Sequence, residues 1–157
     1  MVGLSLTLVG ISMALVQMLV LGRVVNRWGE RGAAIIGLSS ATLSMLFYAF
    51  TNSAVLTLAV CLIVGIQGMV MPSVNAMMSQ RTPVDSQGEL QGFNGSLAAL
   101  AALAAPLIYN TTLSYFTATD AAVHFPGAPF IVSAALAVIA LVSVIRLNTT
   151  TVPSSQS

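Results

Sequence analysis

Lysine is absent from the 157 residues of this chain, and Asp, Glu and Arg together make up only 6% of it. A water-soluble domain carries charge at about 25% of positions, because its surface must be hydrated. A surface this poor in charge faces lipid instead. One cysteine and one histidine exclude a disulfide framework and a metal cluster built from those residues. Cys61 sits in an apolar run and reads as a small packing residue. The net charge of +1 supplies neither a basic surface for nucleic acid nor an acidic tail. Acid, base and nucleophile sets are missing too: His124 falls in a loop beside Phe125 and Pro126, and no glycine-rich phosphate loop follows a strand. An enzyme is therefore not expected, and neither is a cofactor or a bound metal.

What the sequence does contain is apolar length. Hydrophobic residues make up 57% of the chain, and the mean hydropathy is +0.94. Runs over 1–21, 33–50, 54–78, 91–116 and 127–145 each approach the roughly 20 residues that span a bilayer as a helix. Barrel strands would alternate polar and apolar residues over about ten positions, and these runs do not alternate. Backbone groups in lipid must be satisfied within their own segment, so the runs are expected to be helices. The expected fold is all-α and integral to the membrane, with five transmembrane helices in one domain (1–147) and a polar tail (148–157).

Arginine sets the orientation, because cytoplasmic loops are enriched in it. Arg23, Arg27 and Arg31 lie in the first link, Arg81 in the third and Arg146 after the last run, whereas the loops at Asn52 and at 120–126 have none. The C-terminus is thus expected in the cytoplasm and Met1 outside. A chain that starts outside with no cytoplasmic anchor reads as the continuation of a longer protein. Residues 1–21 lack the basic start of a signal peptide.

Uncharged polar residues at membrane depth are the candidate site. Gln17 lies in the first run; Gln67, Met71, Asn75 and Met78 share a face of the third at spacings of four, four and three; Asn94 and Ser96 open the fourth. Amides in lipid turn toward a cavity or another helix, and flexible methionines suit varied apolar ligands. Interhelical hydrogen bonding is the plainer reading of each amide taken alone. Pro72 and Pro106 each remove a backbone donor and are expected to bend their helices. Gly95, Ala99, Ala102 and Pro106 form a small-residue stripe suited to close helix packing.

Two motifs carry a resemblance. The link Gly22-Arg23-Val24-Val25-Asn26-Arg27-Trp28-Gly29-Glu30-Arg31 resembles the cytoplasmic loop signature of the major facilitator superfamily, with Asn26 where that family often has aspartate. The stretch from Gly65 to Ser79, with Gln87-Gly88-Glu89-Leu90-Gln91-Gly92 and Ser96-Leu97-Ala98, resembles helices ten and eleven of its tetracycline/proton antiporter branch. The likeness implies helices eight to twelve of a twelve-helix exporter in a bacterial inner membrane, part of the C-terminal half of that fold. It implies a small-molecule substrate, coupling protons and a missing N-terminal half that holds the coupling acids. It also implies alternating access, with Gln17, Gln67, Met71, Asn75 and Asn94 facing the substrate cavity. A non-transporting relic or a small membrane interaction subunit is the competing expectation.

Overall fold

In a computed structural model, residues 2–51, 53–118 and 125–147 are described; Met1, Asn52, Asp120, His124 and the tail from 148 lie outside them. Among the described residues the chain is helical and forms no strand. Helix α1 (Val2–Leu15) passes through a π-helical turn (Val16–Val20) into α2 (Leu21–Phe50). Then come α3 (Ala54–Gln67), α4 (Val70–Ser79), a 3-10 turn (Val84–Ser86), α5 (Gln87–Thr117) and α6 (Ala128–Arg146).

The arginine link expected over 22–32 is helical on both sides of a single interruption. Gly29 has φ 70° and ψ 176°, a left-handed backbone that a side chain would strain. Leu6–Phe50 measures 45 residues, about 68 Å at roughly 1.5 Å per residue and about twice a bilayer's hydrocarbon thickness. Among the described residues, three helices are long and apolar enough to cross a membrane: Leu6–Phe50, Val84–Thr117 and Ala128–Arg146. The third expected run is divided into α3 (14 residues) and α4 (10 residues), each too short alone to cross a bilayer. Among the described residues the fourth run starts earlier than expected, with Gln87 opening α5.

Packing centres on α2, which touches α3, α4 and α6, while α1 lies along α3. The α2 face that does this recurs every three to four residues: Ala33, Ala34, Gly37, Leu38, Ser40 and Ser44 are buried. Ala34, Leu38 and Val144 make a small core against Val70, Val74, Met77 and Leu141. Small residues dominate the buried face of α2, as expected where helices associate by close approach in lipid rather than by the hydrophobic effect. Ser40 Oγ donates to Ile63 O at 2.9 Å and joins α2 to α3. Large apolar side chains point outward instead, with Met18 81% and Leu103 71% exposed, as lipid-facing side chains do.

At the end of the bundle near Phe125, aromatic rings hold three helices together. Phe130 lies 5.7 Å from Tyr48 and 6.2 Å from Tyr109, and Phe50 lies 5.8 Å from Phe125. Helix α5 stands apart: among its described residues none is buried, and it touches α6 and, lightly, α4.

Candidate functional site: a broken helix facing a π turn

The α3–α4 break sits where Pro72 dictates. Proline lacks the N–H that would bond the carbonyl four residues earlier, Gly68, and its ring crowds that turn. The chain responds by tightening: Gly68 N–H donates to Gly65 O at 3.0 Å and Met69 N–H to Ile66 O at 3.2 Å, both over three residues. Regular helix resumes at Val70, with Ser73 N–H on Met69 O at 3.2 Å.

Opposite the break lies the π turn, closed by the Leu21 N–H on Val16 O over five residues. Such turns insert one extra residue and recur at functional sites. Here the turn carries Gln17, whose Nε2 donates to Gly68 O at 3.1 Å. Close approach is possible because Gly65 has no side chain. A methyl there would collide with Ser12 Oγ and lie 2.8 Å from the Ser12 carbonyl carbon.

The other expected site residues fall around this break. Gln67 ends α3 half-buried, and Met71, one turn beyond, is 64% exposed. Asn75 is exposed on α4, and Asn94 Nδ2 donates to its Oδ1 at 3.3 Å across to α5. Five candidates thus divide: Asn75 and Asn94 are brought together, Gln17 is bonded to the broken backbone, and Gln67 and Met71 lie just before and just after the break. Pro106 lies within α5, which continues as one helix from Gln87 to Thr117.

In the arginine segment, Gly22 and Asn26 are exposed, and the Arg27 guanidinium sits 5.7 Å from the centroid of the Trp28 ring. Glu30 is half-buried. Arg31 reaches α6, donating from Nε to Val144 O at 3.2 Å and from Nη2 to Ile145 O. Those carbonyls belong to the last turn of α6 and lack helical donors, so a cation there both caps the helix and opposes its dipole.

Two features were missed from sequence. Gln87 staples the turn between α4 and α5: its Nε2 donates to Ser79 O at 3.0 Å and Thr82 O at 2.9 Å, and its Oε1 accepts from Ser79 Oγ at 3.0 Å. The repeated Gln-Gly of the motif was the only hint. Gln87→Ala should loosen this turn by about 1–2 kcal/mol, the worth of one or two net hydrogen bonds. Limited trypsin digestion checks it, since cleavage after the exposed Arg81 should speed up several-fold while cleavage after Arg31 stays unchanged. The second feature is a cleft of about 660 Å³ between α5 and α6, lined by Ala101, Ala105, Tyr109, Pro129, Val132 and Leu136. None of the five amide and methionine candidates lines it.

The family description for the Major Facilitator Superfamily matches residues 1–157. The class C tetracycline resistance protein of Escherichia coli is 33% identical over 141 residues, 90% of this chain and 34% of that protein. The class B protein of Escherichia coli is 31% identical over 69% of this chain and 27% of its own length. The class G protein of Vibrio anguillarum is 32% identical over 72% and 29%. The chain therefore spans about a third of the length of the curated relatives it matches. No solved structure matches. The whole-length family match, and relatives that agree with it over most of the chain, establish that this is an integral membrane protein belonging to the Major Facilitator Superfamily.

Proposed function

We propose that this chain is the C-terminal segment of a proton-coupled secondary exporter of tetracycline-like drugs or small metabolites, working by alternating access in the full-length protein. The observation that carries the reading is the 33% identity with a tetracycline resistance protein over 90% of the chain. Counting Leu6–Phe50 as two spans that meet at Gly29, and α3 with α4 as one broken span, gives five spans. These would be helices eight to twelve of the whole transporter. The length of Leu6–Phe50 and the left-handed backbone at Gly29 support that count. The arginines at the Gly29 end, at Arg81 and at Arg146 support a cytoplasmic C-terminus and an external Met1.

Gln67, Met71, Asn75 and Asn94 face the substrate pathway in this reading. Discontinuous helices supply midplane sites in secondary transporters, and the α3–α4 break places an exposed methionine beside a cross-helix amide pair. The bare surface of α5 is where the missing N-terminal half closes the pathway. Coupling carboxylates then belong to that half, since all nine charged residues here lie between the apolar runs or beyond the last.

A chimera tests this. The last third of the class C tetracycline resistance protein is replaced by this chain, membrane insertion is confirmed by immunoblot, and tetracycline uptake is measured in everted vesicles under a proton gradient. Gradient-driven uptake is expected, with Asn75→Leu weakening apparent affinity about three- to tenfold, the worth of one neutral hydrogen bond. An inserted chimera that moves no drug would leave the relic or interaction-subunit reading standing instead.

A further inference from the structure

The bond from Gln17 to Gly68 joins residues 51 apart, and it ends on the one carbonyl that Pro72 leaves without its helical donor. We propose that Gln17 is a positioning residue: its side-chain amide stands in for the N–H that Pro72 lacks. It thereby fixes the bend between α3 and α4 and the direction in which Gln67, Met71 and Asn75 are presented. Only that last consequence rests on the transport reading; the bend itself does not.

Three independent features converge on this one oxygen. The Gly68 and Met69 donors are satisfied locally, by Gly65 O and Ile66 O, while the Gly68 acceptor loses its helical donor to Pro72. The π turn adds a residue to the first helix at the level of the break, and Gln17 lies in it. Gly65 and Gly68 remove the side chains that would hold the helices apart: a methyl at Gly68 would lie 3.3 Å from Met13 Cγ. An amide that merely glued two helices could use any exposed carbonyl. This one uses the carbonyl that a proline four residues away has freed.

The substitution Pro72→Ala restores the missing N–H, so the two positions should be coupled, and a double-mutant cycle reads that coupling. The full chain is placed in lipid nanodiscs, and its unfolding equilibrium is measured for the native protein, Gln17→Leu, Pro72→Ala and the double variant. Loss of an interhelical hydrogen bond in a membrane shifts such an equilibrium about three- to fifteenfold. We expect a shift of that size for Gln17→Leu in the native background and less than about twofold when Pro72 is alanine.

A second readout follows the bend rather than the stability. Spin labels at Leu56 and Gln80, both exposed, with Cys61→Ala, report the distance across the break. Gln17→Leu should broaden the distance distribution, and adding Pro72→Ala should restore a single narrow peak. An equal cost of Gln17→Leu in both backgrounds overturns the proposal. So does a distribution that Gln17→Leu leaves narrow, or a Gln17→Leu chain that fails to fold and is not rescued by Pro72→Ala.

Discussion

Gly65→Ala is expected to destabilise the bundle by about 2–3 kcal/mol, at the upper part of the range for overpacking a tight contact. The sign is what makes the substitution informative. In an unconstrained helix, alanine is better than glycine by roughly 0.5–1 kcal/mol. Here the added methyl would lie 2.8 Å from the carbonyl carbon and the Cβ of Ser12. A side chain could swing away, but a backbone carbon moves only if α1 moves with it. The native reporter is Cys61, buried and the single thiol of the chain. A thiol-reactive dye should label it on heating, at a lower midpoint in Gly65→Ala than in the native chain. Gly10→Ala is the control, because nothing lies within 4 Å of its added methyl; it should be neutral or slightly stabilising. A midpoint that rises for Gly65→Ala would mean that α1 and α3 do not approach as described.

Arg31→Leu is expected to cost about 2–4 kcal/mol. Hydrogen bonds from a charged donor are each worth roughly 1.5–3 kcal/mol, and Arg31 gives two, to Val144 O and Ile145 O. The same change removes a cation from the negative end of α6. Arg31→Lys should recover less than half, because one ammonium cannot reproduce the planar fork that meets two successive carbonyls. Hydrogen exchange separates this from general loosening. Amides in the last turn of α6 should exchange faster, while those of α3 stay protected. If α3 and α6 lose protection together, Arg31 supports the whole bundle instead of capping one helix.

Much of the architecture was legible in sequence because a bilayer imposes so few solutions. Apolar length specified helices, and the arginines marked where the apolar runs are interrupted. Pro72 was readable as the cause of a bend. The limits of legibility are equally physical. Proline announces a freed carbonyl but not the group that will satisfy it, so Gln17 was legible as a cavity residue or an interhelical donor, but its partner Gly68 was not. The π turn has no residue signature; Val16 to Val20 is ordinary helix-compatible sequence. Arg31 was legible as a loop arginine, yet its partners lie 113 and 114 residues away and are backbone atoms, which carry no sequence mark. Asn75 and Asn94 were separately visible as amides; that they meet depends on the short turn that Gln87 holds.

The clasp between Arg31 and α6 also sets a timetable. As the polypeptide leaves the ribosome, α1 can dock on α3 once Gln67 has emerged, and the turn at Gly68 can be locked soon afterwards. Arg31 of α2 has no such early option, since Ile145 must first be made and inserted. During that interval a guanidinium waits at the membrane edge beside a half-covered helix, in a species that a quality-control protease could recognise. Ribosomal pausing after residue 120 would lengthen the wait, and loss of α6 would make it permanent.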